Sequence, residues 1–211
     1  MSEPEILLTP QARLDRAHSA IVVIDMQNDF CAEGGYVEKV VGRSAAACRA
    51  VVEPVVELVQ AAREKGVPVF WVRAIYDPEK LPAGIRAKQR ARSDAICCAT
   101  GSWGADFFGV APDGAECVID KHSYSAFIGT SFDAILRKRG VRTLIFAGVQ
   151  TNVCVESSLR DAACMGYYAV LPSDCVASHA EPLHEATLKN VEFLFGDVMS
   201  RAEIVSIWDA D

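Results

Sequence analysis

The sequence predicts an α/β protein with a parallel sheet. Residues 20–24 (AIVVI) and 67–72 (VPVFWV) are short apolar runs rich in β-branched side chains, which is typical of strands buried on both faces. Between them, residues 44–65 place apolar side chains at helical spacing, and this pattern ends at Gly66. A strand, a helix and a strand joined by short links form a βαβ unit, in which the two strands are parallel.

One domain, residues 1–211, accounts for the chain, because no internal repeat, low-complexity tract or linker interrupts it. Residues 73–114 form a long irregular segment, and loops of this length are unusual unless they are functional. The remaining predicted elements are strands at 116–120, 142–147, 167–171 and 196–199, and helices at 130–140, after Cys154, at 182–194 and at the end of the chain.

The composition restricts the classes of function. Hydrophobic residues make up 51% of the chain, which predicts a large core, and the net charge of −7 argues against nucleic acid or an anionic membrane as the main partner. No apolar run approaches the roughly 18–20 residues that span a bilayer, and the acidic start, MSEPEILLTP, does not look like a signal peptide. We therefore expect a cytoplasmic protein whose eight cysteines are reduced.

Three reactive side chains follow predicted strands. Asp25 comes directly after the first strand, Lys121 follows the strand at 116–120, and Cys154 lies where a polar turn becomes a helix. Asp25 alone is more simply interpreted as a cap for the next turn. The carboxyl ends of parallel strands lie at one edge of a sheet, however, so the three side chains can converge. A carboxylate can accept a thiol proton, a lysine favours the thiolate, and a helix start should lower the thiol pKa. Together they predict a cysteine hydrolase.

The long segment carries a cationic cluster, Arg86, Lys88, Arg90 and Arg92, on an otherwise acidic protein. A solvated face or a subunit contact is the simpler interpretation. The alternative is a lid whose cations help to hold an anionic substrate. Further along, a turn containing Trp103 is expected to bring an aromatic side chain to the site.

Three segments, AIVVIDMQNDFCAEGGY (20–36), VIDKHSYSAF (118–127) and LIFAGVQTNVCVESSLRDAACMGY (144–167), resemble the isochorismatase-like cysteine hydrolases. The resemblance implies a three-layer αβα fold around a six-stranded, mostly parallel, Rossmann-like sheet. It also implies an Asp25–Lys121–Cys154 triad, a cis peptide at Val149–Gln150, and an oxyanion hole formed by the backbone N–H groups of Gln150 and Cys154. Homodimers or homotetramers are common in the family.

Within that family the chain resembles most the ureidoacrylate and related carbamoyl or ureido amide hydrolases. Where such enzymes have Asn and Trp after the second strand, this chain has Ala74 and Tyr76. Nicotinamidases of the family bind zinc through an Asp-x-His pattern after the second strand and a further His, but that region here, RAIYDPEK, contains no histidine, so no metal is expected. No cofactor is expected either. The candidate substrate contacts are Tyr124, Tyr76, Gln27, Phe30, Trp103 and Val149.

Because the family's ether-cleaving members lack the nucleophilic cysteine, Cys154 indicates hydrolysis of a C–N bond. The expected substrate is a small amide, carbamoyl or ureido compound, with ureidoacrylate-like molecules favoured. Biuret, N-carbamoyl amino acids, maleamate and nicotinamide are alternative substrates. A catalytically silent binding protein and an enzyme that cleaves an ether or ester are alternative functions.

Overall fold

A sheet of seven parallel strands forms the centre of the computed structural model, which describes residues 6–210. Residues 1–5 and 211 of the predicted domain lie outside the described residues. The strands are β1 Ser19–Ile24, β2 Val69–Ala74, β3 Cys117–Lys121, β4 Thr143–Val149, β5 Tyr168–Pro172, β6 Val176–Ala177 and β7 Asp197–Met199. Their order in the sheet is β3-β2-β1-β4-β5-β7, and β6 pairs with β4.

The seventh strand corrects the expected six. Strand β6 is only two residues long, which is too short to show either an apolar run or an alternation of apolar and polar residues, so the sequence does not predict it. The α-helices are α1 Pro10–Arg13, α2 Asn28–Cys31, α3 Ala46–Ala50, α4 Val52–Glu64, α5 Ala83–Arg90, α6 Phe132–Lys138, α7 Glu156–Cys164, α8 Glu181–Asn190 and α9 Arg201–Ala210. No helix within residues 6–210 is long and apolar enough to cross a membrane.

Two predicted helical regions differ in detail from the structure. The helix expected over residues 44–65 is divided into α3 and α4 at Val51. Helix α5 lies inside the segment predicted to be irregular, and none of its side chains is buried. Its sequence, AGIRAKQR, has only Ile85 as a large apolar residue, so it lacks the periodic stripe by which a packed helix is recognised.

Helices cover both faces of the sheet and create two apolar cores. On one face, Ile21 and Val23 of β1 pack in a cluster with α4 and α9, and on the other Val22 of β1 packs in a cluster with α6 and α7. All six residues of β1 are buried, as expected for a central parallel strand. The three-layer αβα architecture predicted from the resemblance is confirmed.

The strand register places the ends of β1, β3 and β4 at one edge. Ile24 pairs with Val72 on one side and with Gly148 on the other, and Ala74 of β2 pairs with Lys121. The residues that follow β1 and β4 therefore emerge beside the last residue of β3.

Gly148 lies in close contact with β1. Its φ is +111°, and a Cβ atom added there would lie 2.1 Å from the carbonyl oxygen of Ile24. We expect Gly148→Ala to lower the free energy of unfolding by about 3 kcal/mol or more, because backbone strain and overpacking act together. Chemical denaturation measures the loss.

Gly140→Ala is the matched control, because Gly140 also has a positive φ of +69° but no atom within 4 Å of the added Cβ. Its cost should be about 1–2 kcal/mol, from the backbone conformation alone. Equal losses in the two variants would show that the contact with β1 does not matter.

Candidate active site

Asp25, Lys121 and Cys154 meet at this edge of the sheet. The Lys121 Nζ atom lies 2.8 Å from Asp25 Oδ2 and donates a hydrogen bond to Cys154 Sγ at 3.3 Å. Asp25 and Lys121 are completely buried, and Cys154 is 4% exposed. The three side chains whose convergence the sequence predicted are therefore in contact.

Lys121 is also bound by neutral oxygen atoms. Its Nζ donates to the hydroxyl of Tyr76 and to the carbonyl of Ser123, each at 3.1 Å. The Tyr76 hydroxyl lies 3.6 Å from Cys154 Sγ, so it contacts both the cation and the thiol. A buried ammonium group needs such partners, because burial without them is costly.

Burial and the mutual attraction of the charged groups act in opposite directions on the pKa values of Asp25 and Lys121. Burial raises the pKa of Asp25, against the lowering effect of the Lys121 charge. It would lower the pKa of Lys121, but the Asp25 and Cys154 charges outweigh it and the pKa of Lys121 is raised. Lys121 therefore remains an ammonium ion at neutral pH.

The expectation of a lowered Cys154 pKa is wrong. Burial and then the Asp25 charge raise the pKa of Cys154 to about 12. Cys154 lies in a π-helical turn, Thr151–Val155, directly before α7, and the position at a helix start does not outweigh the loss of hydration. At neutral pH the resting side chain is a thiol, so it needs a base to react.

Hydrogen bonds hold the turn that carries Cys154. The Ser158 hydroxyl donates to the Cys154 carbonyl at 2.7 Å and accepts from the backbone N–H of Ala126 at 2.9 Å. Ser158 thereby connects the first turn of α7 to the segment that follows β3. The Val149–Gln150 peptide bond before the turn is cis, as the resemblance implied.

Cys154 lines a cavity of about 270 Å³. This is slightly below the roughly 300–1,000 Å³ of pockets that hold drug-sized ligands, so the space suits a small molecule. Its aromatic wall consists of Phe30, Tyr36, Tyr76 and Tyr124.

Only three of the six predicted substrate contacts line the cavity. Phe30, Tyr76 and Tyr124 line the cavity, whereas Val149 is buried at the end of β4. Trp103 is 54% exposed and does not line the cavity, so the turn that contains it does not bring its ring to the site.

Gln27 does not line the cavity either. Its amide nitrogen donates to the carbonyls of Ala74 and Ala105 at 3.0 and 2.8 Å, and its oxygen accepts from the Ala74 N–H at 2.8 Å. These bonds fasten the residues after β1 to the end of β2 and to the segment 103–105. Gln27 is therefore a structural side chain, because its amide is occupied by the backbone.

Sequence reasoning missed Tyr36 and His179, which also line the cavity. The Gln150 side-chain oxygen lies 2.9 Å from both the backbone nitrogen and Nδ1 of His179. His179 follows β6, so recognition of that strand would have placed it at the same sheet edge. Of the basic cluster, Lys88 and Arg92 line this cavity, whereas Arg86 and Arg90 line a separate one.

Among residues 6–210, potential metal-ligating atoms come together at Asp29, Cys97 and Cys98, within 4.8 Å of one another. Both Asp29 oxygens already accept backbone hydrogen bonds, from Tyr36 at 3.1 Å and from Cys98 at 2.6 Å. Asp29 therefore connects the backbone at Tyr36 to the backbone at Cys98.

Comparison with known proteins places this geometry in a family. The Isochorismatase domain matches residues 19–203. The ureidoacrylate amidohydrolase RutB of Methylobacterium radiotolerans is 35% identical, over 92% of this chain and 80% of the relative. A cysteine hydrolase from Pseudomonas syringae has a TM-score of 0.84 at 26% identity, over 100% of this chain and 99% of that one.

A second solved structure, N-carbamoylsarcosine amidase from Thermoplasma acidophilum, has a TM-score of 0.73 at 26% identity, over 87% of this chain and 96% of that chain. The domain match, the related sequences and the shared fold agree over nearly the whole chain. The protein therefore belongs to the isochorismatase family of hydrolases.

Proposed function

We propose that this protein hydrolyses a C–N bond in a small amide, carbamoyl or ureido substrate through a thioester on Cys154. The family and its amidohydrolase relatives support an amidohydrolase that acts on non-peptide C–N bonds. The observation that carries the covalent mechanism is the buried contact of Lys121 with both Asp25 and Cys154, of which Cys154 lines the cavity.

Asp25 is the base in this mechanism. It takes the Cys154 proton as the sulfur attacks the substrate carbonyl, and it then gives that proton to the leaving nitrogen as the C–N bond breaks. Water attacks the thioester after losing a proton to Asp25, and that proton returns to the sulfur when the C–S bond breaks. Lys121 stays protonated and balances the negative charge that passes between Asp25 and Cys154.

The oxyanion formed in each step needs hydrogen-bond donors. We assign this role to the backbone N–H groups of Gln150 and Cys154, which belong to the turn beside the cavity. The Gln150 side chain, held by His179, limits the movement of this turn.

Ureidoacrylate-like substrates are favoured, because relatives named for that activity match over most of the chain. Ammonia release should be measured for ureidoacrylate, biuret, an N-carbamoyl amino acid, maleamate and nicotinamide. Activity on one of the amides supports the proposal and selects among the alternatives. Hydrolysis of esters or vinyl ethers alone would indicate the ether or ester alternative, and absence of any turnover would indicate a binding protein. A cytoplasmic location and a homodimer or homotetramer stay predictions.

The pH profile follows from the state of the base. Because the pKa of Asp25 is raised above its ordinary value of 3.8, kcat/KM should fall with decreasing pH, with an inflection above the range of ordinary carboxylates. Since the pKa of Lys121 is raised, no alkaline loss is expected up to its ordinary value of 10.5. Steady-state rates across this range test both limbs. A fall in kcat/KM as the pH rises through neutrality would contradict the assignment of these two groups.

Tyr76→Phe tests the neutral partner of the thiol. The Tyr76 hydroxyl accepts a hydrogen bond from Lys121, so its own proton can be donated to the Cys154 sulfur as negative charge develops there. We expect kcat to fall about tenfold with little change in KM, since one hydrogen bond to a charged group is lost. Tyr124→Phe is the matched control, because Tyr124 lines the same cavity, and its effect should be on KM. A fall in kcat of the same size in both variants would contradict the role of Tyr76.

A further inference from the structure

Two cations face the cavity without an acidic partner. Among the described residues, Lys88 and Arg92 take part in no ion pair with a carboxylate. Arg86 and Arg90 of the same segment likewise form no ion pair within residues 6–210, but they line a separate cavity. An unpaired guanidinium group is a ready site for a carboxylate, which it can bind through two parallel hydrogen bonds.

The surroundings of these cations also suit an anion. Within the described part of the chain, no aspartate or glutamate lines the cavity, although the protein carries a net charge of −7. The Tyr36 hydroxyl is buried in the cavity wall and makes no hydrogen bond to any described residue. Burial raises the pKa of Tyr36, and the positive charge of Arg92 opposes that rise.

We propose that Arg92, Lys88 and the Tyr36 hydroxyl form a carboxylate-binding subsite, so that the substrate is a small amide or ureido compound carrying a carboxylate. This inference rests on the proposed function only for the position of the reacting carbonyl at Cys154. It favours ureidoacrylate, N-carbamoyl amino acids and maleamate over biuret and nicotinamide, which carry no carboxylate.

The same segment of the chain supplies a matched control. Arg86 and Arg90 line a separate cavity with Ser93 and Asp94. Arg92→Gln, Lys88→Gln and Arg90→Gln therefore change the net charge of the protein equally, but only the first two remove a cation from the cavity.

The first experiment needs no substrate. Iodoacetate and iodoacetamide alkylate a thiol by the same displacement, but only iodoacetate carries a carboxylate. Their rates at Cys154 are compared at mildly alkaline pH by peptide mass spectrometry, with the exposed Cys164 as internal reference. The ratio of the iodoacetate rate to the iodoacetamide rate at Cys154 should fall about tenfold in Arg92→Gln, the effect of losing one charge-assisted contact.

Lys88→Gln should lower this ratio by a smaller factor, and Arg90→Gln should leave it unchanged. An unchanged ratio in Arg92→Gln, or an equal fall in Arg90→Gln, would overturn the subsite. Tyr36→Phe should also lower the ratio, because the substitution removes only the hydroxyl that points at the anion.

The second experiment compares ureidoacrylate with its methyl ester by ammonia release. The wild type should prefer the free acid by at least tenfold in kcat/KM, and Arg92→Gln should lose most of that preference. Equal rates on acid and ester would overturn the subsite even where amide hydrolysis stands. A lack of hydrolysis with the expected alkylation ratios would refute the proposed function and leave the anion subsite supported.

Discussion

Cys154→Ser should reduce turnover by about a thousandfold or more while the protein remains folded. The reason is chemical, since a serine hydroxyl is much harder to ionise than a thiol and Asp25 is a weak base. The sulfur is also already placed against Lys121 at 3.3 Å, so the substitution changes the reacting atom without removing the contact. The measurement is kcat on the best substrate of the ammonia screen.

Cys164→Ser is the matched control for this variant. Cys164 is an exposed thiol at the end of α7, remote from the cavity, and its replacement should leave kcat unchanged. Circular dichroism and thermal unfolding establish that both variants keep the fold. Undiminished activity of Cys154→Ser would refute the covalent mechanism.

Lys121→Met should cost both activity and stability. Removal of the ammonium group leaves Asp25 buried without its counter-ion, and breaking a buried ion pair typically costs about 3–5 kcal/mol. Asp25→Asn should have a comparable effect, because it leaves Lys121 buried without a carboxylate. Each variant should also abolish turnover, since the first loses the charge that supports the thiolate and the second loses the base.

The double variant distinguishes a structural effect from a catalytic one. Combining Asp25→Asn with Lys121→Met removes both buried charges. The free energy of unfolding of the double variant should therefore fall by less than the sum of the losses in the two single variants. Turnover should remain absent. Asp120→Asn is the control, because it breaks the neighbouring Arg73–Asp120 pair, which is partly exposed and should contribute less than about 1 kcal/mol. Additive losses in the double variant would contradict a buried, mutually dependent pair.

The sequence predicts those site residues that lie at the ends of strands. Asp25 follows an uninterrupted apolar run, and Lys121 ends a short one, so the parallel sheet alone brings them together. The sheet order and the short strand β6 do not follow from periodicity, and His179 was missed for that reason. Non-local pairing decides such details, and a two-residue strand has no pattern of its own.

The pKa of the Cys154 thiol could not be predicted from the neighbouring sequence either. The position of Cys154 before a helix suggests a lowered pKa, whereas burial beside Asp25 raises it. Burial of a single side chain depends on how several segments pack, and neighbouring sequence carries little information about it. Gln27 shows the same limit, since its polar side chain suggested a ligand contact but binds the backbone of Ala74 and Ala105.

Helix α5 and the residues just after it carry the two cations of the cavity, Lys88 and Arg92, and the helix buries none of its own side chains. The catalytic cluster, in contrast, is built from the ends of strands inside the core. In the proposed mechanism, substrate preference and reactivity therefore depend on parts of the chain that can change separately. Exchange of the α5 segment between relatives should alter which amide is chosen while the unfolding midpoint stays nearly constant, which makes this helix the natural place to begin a redesign of specificity.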